Sequence, residues 1–325
     1  MPGPFKIDQF SQVLPTYPDL FICCASFEDR CKTIPLLITP QNIKRAIICN
    51  HNEVIEYTKN NLDELCHHYG TAGQKVGFSI DDPLLTVDAL LPVLEEANFQ
   101  SNLNIALDIT TFTRESLLIV VRLLVHFLAK GSKLLLLYND ADDYSIGLNL
   151  PDKWLSKGIN EVRSVLGYPG FSSPLNKNHL IVMSGFKDER TAKLIEEFEA
   201  SVVSIGVADE DTTDLNFHEG NFSYFQKVCT NIQNIDEFKF SLSDPQETRK
   251  ALLRQIAKHP EHDVTIAPMN NKISTLGAAF VAIENPDIQL CYAQADYYNF
   301  DAYSAPGPNF FYFEIPELGN SGKLI

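Results

Sequence analysis

The chain has no apolar run long enough to span a bilayer. Its longest, Leu117–Val125 and Leu134–Leu137, are interrupted by Arg122 or too short. Met1–Asp8 shows neither a charged start before an apolar run nor a small-residue cleavage site. No membrane partner is therefore expected, and a cytoplasmic location is. No Cys-x-x-Cys pair occurs, and Cys66-His67-His68 has no second ligand pair at zinc-like spacing, so no metal is expected. The seven cysteines are an odd number, and adjacent Cys23 and Cys24 lie in an apolar run, as buried reduced thiols do. Basic residues are scarce: 26 Lys and Arg against 42 Asp and Glu give a net charge of −16. Such a chain repels phosphates on average, which excludes an extended nucleic-acid surface but leaves room for a small basic pocket. Glycine-rich dinucleotide and P-loop fingerprints are missing too. His51, His67, His68 and His179 fall in no local Ser-His-Asp signature, so no catalytic residue is assigned.

What is present is a chain of 325 residues, 45% of them apolar, about twice the usual size of one domain. An internal repeat organises it. Phe21-Ile-Cys-Cys-Ala-Ser-Phe-Glu-Asp-Arg30 resembles Leu180-Ile-Val-Met-Ser-Gly-Phe-Lys-Asp-Glu-Arg190. Ile105-Ala-Leu-Asp-Ile-Thr-Thr-Phe-Thr-Arg114 resembles Asp263-Val-Thr-Ile-Ala-Pro-Met-Asn-Asn-Lys272. Tyr138-Asn-Asp-Ala-Asp-Asp-Tyr144 resembles Tyr292-Ala-Gln-Ala-Asp-Tyr-Tyr298. The three pairs keep the same order at nearly the same offset, which implies duplication. The expected overlay pairs Ser26 with Ser184, Arg114 with Lys272 and Tyr138 with Tyr292.

Between the motifs, apolar strand patterns alternate with helical ones. Strands are expected at Leu20–Cys24, Arg45–Cys49, Val76–Ser79, Leu103–Ile109 and Lys133–Tyr138. They are expected again at His179–Met183, Val202–Gly206, Phe238–Phe240, Val264–Ala267 and Ile288–Tyr292. Helices are expected over Asp29–Ile38, Glu53–His67, Pro83–Glu96 and Thr113–Ala129. Nearly continuous apolar strands suit a parallel sheet covered on both faces, and strand–helix alternation implies right-handed crossovers. The expected fold is α/β: two tandem Rossmann-like domains with parallel sheets, related by internal duplication. The first spans 1–150, a helix and linker 151–177, and the second 178–325. Trp154, the lone tryptophan, is expected to pack between domains.

In such sheets ligands bind beyond the carboxyl ends of the strands, where strand order reverses. The first candidate constellation is Ser26, Glu28, Arg30, Thr110, Thr111, Arg114, Tyr138 and Tyr144. A helix opening after Thr110-Thr111 offers backbone N–H groups and a positive dipole end for a phosphate or carboxylate. The same residues also fit a structural role, with the threonines capping the helix and Arg30 pairing with a nearby acid. The second constellation is Ser184, Gly185, Arg190, Asn270, Asn271, Lys272, Tyr292, Asp296 and Tyr298. The aromatic tail from Tyr303 to Tyr312 is loop-like in composition and fits either a cover over this second site or a packing role for its aromatics, the latter preferred. Glu28, Asp29, Asp108, Asp188 and Glu189 offer an alternative acidic metal site of nuclease or phosphatase type.

The stretch Leu107-Asp-Ile-Thr-Thr-Phe-Thr-Arg-Glu-Ser116 resembles the strand-four motif of CRISPR-associated Rossmann-fold (CARF) sensor domains. Asp108, Ile109, Thr110, Thr113 and Arg114 match in kind, while Thr111 and Phe112 stand where that family has two glycines. The resemblance covers a few dozen residues per half. It implies nucleotide sensing in prokaryotic antiviral defence, with the ligand held between two such domains. Ile181-Val-Met-Ser-Gly-Phe-Lys-Asp188 resembles the phosphate loop of ATP pyrophosphatases, without its second glycine and following serine. Three functions follow as expectations: a non-catalytic module that binds a nucleotide-like or other anionic ligand and signals to a partner protein, a phosphoester- or nucleotide-processing enzyme, or a structural subunit of a larger complex.

Overall fold

The computed structural model describes residues 3–14, 16–97, 103–128, 131–144, 154–185, 189–198, 200–209, 235–301 and 303–315. The chain divides into two compact units, Met1–Lys153 with Phe300–Ile325, and Trp154–Asn299. Each is an α/β unit of Rossmann type.

The first unit contains β1 (Phe5–Lys6), β2 (Leu20–Cys24), β3 (Arg45–His51), β4 (Gly73–Phe78), β5 (Asn104–Asp108) and β6 (Lys133–Tyr144). Strands β2 to β6 are mutually parallel in the order β6-β5-β2-β3-β4, so strand order reverses between β2 and β5. All five residues of β2 are buried, as a central strand covered on both faces requires. Around the sheet run α1 (Phe10–Val13), α2 (Arg30–Thr33), α3 (Ile55–Tyr69), α4 (Pro83–Glu96) and α5 (Arg114–Phe127). Helix α3 buries Thr58, Leu62, Leu65 and Tyr69, a stripe at helical spacing, against a core that includes Phe21, Cys23, Ile48 and Phe310. Helix α2 is shorter than expected, because Pro35 turns the chain into a separate 3₁₀ segment, Pro35–Leu37.

The second unit contains β7 (Ser156–Lys157), β8 (Glu161–Pro169), β9 (Lys177–Met183), β10 (Val202–Ala208), β11 (Ile235–Phe240), β12 (His262–Pro268), β13 (Gln289–Gln294) and β14 (Tyr297–Tyr298). Its sheet runs β11-β10-β9-β12-β13-β8, with β9 to β13 in the same relative order as β2 to β6. Helices α6 (Glu189–Phe198), α7 (Pro245–Ile256) and α8 (Lys272–Glu284) occupy the crossovers. In α8 every residue from Ile273 to Ile283 is buried. A Cβ on Gly277 would lie 2.6 Å from the Thr248 side chain, so α8 approaches α7 more closely than any other residue permits.

The paired rows show which residues of the two units correspond. Ile22, Leu107 and Leu136 lie side by side in the first sheet, as Ile181, Ile266 and Leu290 do in the second. Tyr138 and Tyr292 each stand two residues beyond, so they occupy equivalent positions. Arg114 and Lys272 each open the helix after the fourth parallel strand. The serines do not match. Cys24 pairs with Cys49 and Met183 with Gly206, and the next amides, Ala25 and Ser184, donate to those carbonyls at 2.8 and 3.0 Å. Ser184 therefore corresponds to Ala25, and Ser26 to Gly185.

Two expectations about the ends of the second half are corrected. The segment read as a helix from residue 152 holds strands β7 and β8 from Ser156 on, and its first two residues lie outside the described ones. Val165 and Tyr168 are both buried, three residues apart, because β8 bulges against β13 between Ser164 and Pro169. The tail is a strand rather than a loop, and its Phe310 and Phe313 are buried, the packing role its aromatics also fitted. Ser304–Ile315 is strand β15, antiparallel to β6 in the first sheet, with the two-residue β1 paired beyond it at the edge. Pro306, Gly307 and Pro308 give it a loop-like composition, and the register shifts around them, since proline cannot donate to the ladder. The second unit accordingly ends at Asn299 rather than at residue 325.

Candidate functional site

At the carboxyl ends of the first unit's strands the side chains form one buried polar network. The loop after β2 delivers Glu28 and Arg30, which are 6% and 4% exposed. Arg30 Nη2 lies 2.6 Å from Glu28 Oε2, its Nε donates to Ser304 Oγ at 2.9 Å, and its Nη1 donates to the Asn139 carbonyl at 3.3 Å. Ser304 in turn donates to Glu28, and Arg30 sits 5.8 Å from the centre of the Tyr144 ring. Burial opposes the guanidinium charge, but Glu28, with Tyr144 and Tyr138 beside it, holds Arg30 protonated well above its usual range. Burial also drives the Tyr138 hydroxyl upward.

The loop after β5 completes the network. Thr110 donates both its N–H and its hydroxyl to Asp108 Oδ1, and accepts the Asn139 N–H at 3.0 Å. Arg30 and Thr110 thus meet at the Asn139 peptide groups, as a shared site requires. Burial pushes the Asp108 carboxyl up to about 7, against the opposing Thr110 hydrogen bonds and Arg30 charge. Thr111 donates to the Cys24 carbonyl at 2.6 Å and fastens this loop to β2. Thr113 caps α5 by accepting the Ser116 N–H, and Arg114 is half-buried at the first helical position.

Three participants were not singled out in the sequence. Asn139 donates through Nδ2 to the Gly307 and Asn309 carbonyls, while its Oδ1 is buried without a hydrogen-bond partner among the described residues. Asn50 Oδ1, at the end of β3, is likewise buried and unmet. The sequence signal for both was an Asn closing an apolar strand. Ser304 had no local signal, since its partners lie more than 270 residues away in the chain. Cys24 and His51 also meet at these strand ends, with Sγ 4.0 Å from Nδ1.

The second unit's candidates are arranged differently. Ser184 Oγ donates to the Gly206 carbonyl at 2.6 Å, and Asn270 Nδ2 donates to the Ser184 carbonyl at 2.6 Å. Asn271 caps α8 by accepting the Ser274 N–H, and its amide reaches the Leu242 carbonyl at 2.8 Å. Lys272 is half-buried at the helix start, where Arg114 stands in the first unit. Tyr292 and Tyr298 hydroxyls lie 3.4 Å apart. Asp296 is exposed, and its N–H donates to the Lys157 carbonyl. Arg190 is buried near the start of α6, and Gly185 follows β9. Asp188 lies outside the described residues. Among the described residues, no group of three or more His, Cys, Asp or Glu is placed to hold a metal ion. Among them, too, no helix is long and apolar enough to cross a membrane.

A repeat that the sequence reading passed over also appears here. Phe78-Ser-Ile-Asp-Asp-Pro-Leu-Leu-Thr86 and Phe240-Ser-Leu-Ser-Asp-Pro-Gln-Glu-Thr248 follow the third parallel strand of each unit. In both, the serine Oγ accepts the Asp N–H at 3.0 Å, the Asp caps the helix, and the Thr hydroxyl donates back to the serine carbonyl.

No family model matches the chain, and no curated protein does. Solved structures show distant likenesses. One is the cytoplasmic domain of a prokaryotic cation chloride cotransporter, at 8% identity and a TM-score of 0.24, covering 87% of this chain and 98% of that one. Another is the N-domain of a bacterial malonyl-CoA reductase with NADP, at 8% identity and a TM-score of 0.26, covering 83% and 77%. Likenesses this weak add nothing to the functional argument.

Proposed function

We propose that the protein is a non-catalytic module of the cytoplasm that binds a nucleotide-like anionic ligand at the strand carboxyl ends and signals to a partner protein. The observation that carries this reading is the start of the helix after the fourth parallel strand. In both units it has a side-chain cap and a half-buried cation at its first position, Thr113 with Arg114 and Asn271 with Lys272. A helix start with a cation beside the strand-order reversal is where an anion is best held. The non-catalytic part rests on how the acids are used: Glu28 is neutralised by Arg30, and Asp108 is occupied by Thr110. A prokaryotic-defence setting and a cyclic oligonucleotide as ligand are the forms of this proposal that the resemblance of Asp108–Arg114 brings with it.

The test is calorimetric titration with mononucleotides and cyclic oligonucleotides, beside melting curves. Arg114→Ala removes a charge-assisted hydrogen bond and should weaken binding roughly tenfold to a hundredfold. Thr110→Ala should cost less affinity, because the helix-start amides remain, although its buried contacts to Asp108 and Asn139 make it the less stable variant. Normal binding by Arg114→Ala overturns the proposal. Turnover of any titrant would select an enzyme, and a flat response to all of them a structural subunit.

A further inference from the structure

Beside the buried ion pair of the first unit lies an aromatic cluster, of which the sequence motifs contain only Phe27 and the aromatic tail only Tyr303. Phe27 immediately precedes Glu28, and Tyr303 immediately precedes Ser304. The inner pair is hydrogen-bonded and buried. The outer pair packs edge to face, with ring centres 5.3 Å apart. Phe300 packs edge-on against Phe27 at 4.9 Å. Tyr57, in the first turn of α3 after the second parallel strand, stacks on Phe300 with centres 4.0 Å apart and planes within 4°. Three stretches of chain thus build one stack at the carboxyl-end rim. Its outermost ring, Tyr57, remains 56% exposed.

We infer that Tyr57 is the platform for a nucleobase, so the ligand of the first unit is a nucleotide whose base stacks on this ring. The inference rests on the ligand-binding reading above and names the chemistry of one end of that ligand. A tyrosine held flat against Phe300 loses little freedom when a second flat ring covers it. Its exposed position at the rim needs no opening of the buried network. Every nucleobase has a face to stack, and such contacts with protein aromatics are strong while tolerating any base. The cluster's inner members flank the Glu28 and Ser304 contacts, so a base on Tyr57 would be felt by the loop that carries Arg30 and by strand β15, which lies between β6 and the outermost β1. That gives ligand binding a route to a partner through this side of the sheet.

The test titrates the full chain with AMP, GMP, CMP and UMP, with ribose 5-phosphate and with inorganic phosphate, each followed by calorimetry. Wild-type protein should bind at least one nucleotide more tightly than ribose 5-phosphate. Tyr57→Ala should lose at least about fivefold in nucleotide affinity. Its affinity for ribose 5-phosphate or phosphate should not change. Tyr57→Phe should restore nucleotide binding to within about twofold. Because Tyr57 is exposed, both variants should melt like the wild type. Equal affinity for nucleotide and ribose 5-phosphate, or unchanged nucleotide affinity in Tyr57→Ala, overturns this inference while leaving anion binding intact. Failure of every nucleotide and of phosphate to bind overturns the underlying reading and this inference together.

Discussion

The two units share a strand order and differ in one row of residues. Three positions past the row of Ile22, Leu107 and Leu136 stand Ala25, Thr110 and Asn139, with Asn50 beside Ala25. The corresponding residues of the second unit are Ser184, Met269, Ala293 and Val207. All eight are buried. The first row is polar, carries two unmet amide oxygens and adjoins the Asp108, Arg30 and Glu28 charges. The second is apolar apart from Ser184, and its Met269 and Ala293 belong to the hydrophobic core. Asp108 itself corresponds to Ala267. The strand rows of Ile22, Leu107 and Leu136 and of Ile181, Ile266 and Leu290 are apolar in both units, whereas the strand ends have diverged. The comparison makes the first unit the better candidate for a polar ligand and gives the second a packed end.

The largest effect should come from breaking the first unit's ion pair. Glu28→Ala leaves Arg30 charged and buried without its carboxylate, which costs about 3–5 kcal/mol. Urea unfolding of the full chain should show the first unit's transition moving to lower denaturant. No change in the midpoint would mean that Arg30 finds another partner and that the network is not what distinguishes the units.

Acid should act on the two units in opposite directions. In the second unit His179 is fully buried, shares Ser204 Oγ with Gln255, and stacks edge-on with His259 at 4.9 Å. Burial, with His259 and His262 nearby, lowers it to about 4. The unfolded chain therefore binds the extra proton between pH ~6.5 and ~4, and stability falls as pH is lowered through that window. Asp108 does the reverse. Its raised value means the folded state holds the extra proton, so the stability contribution is full below pH ~4 and lost as pH rises toward ~7. Each effect is on the order of 3 kcal/mol. The pH dependence of unfolding, taken as wild type minus His179→Gln and wild type minus Asp108→Asn, should give slopes of opposite sign. Slopes of one sign would erase the electrostatic difference between the units.

The smallest effect should be the same in both. Thr113→Ala and Asn271→Ala each remove the side-chain cap of the helix after the fourth strand and should each cost about 1 kcal/mol. Thermal melts that separate the two by much more than this would show that equivalent positions no longer do equivalent jobs.

Much of the architecture was readable because it is local. Periodicity in Leu20–Cys24, Pro83–Glu96 and Lys133–Tyr138 locates strands and a helix without knowledge of their neighbours, and the Tyr138/Tyr292 and Arg114/Lys272 matches held their register. The candidate site was readable only in outline. Arg30, Thr110 and Tyr144 do come together, but Asn139, Asn50 and Ser304 complete the network without any motif. The serine match slipped by one residue because serine was paired with serine: the strands align without a gap, Ile22 with Ile181 and Ala25 with Ser184, and the extra residue of the second motif comes after both serines.

Taken alone, the sequence determined the alternation of strands and helices, the doubling of the unit and the caps that start its helices, because each depends on side chains within a turn or two of one another. Tertiary structure decided where β15 belongs, that β8 is a bulged edge strand and that Arg30 is neutralised by Glu28 under Ser304. Those outcomes depend on which edge of a sheet is open and on which charges share a space without water, and neither is a property of any short stretch of chain.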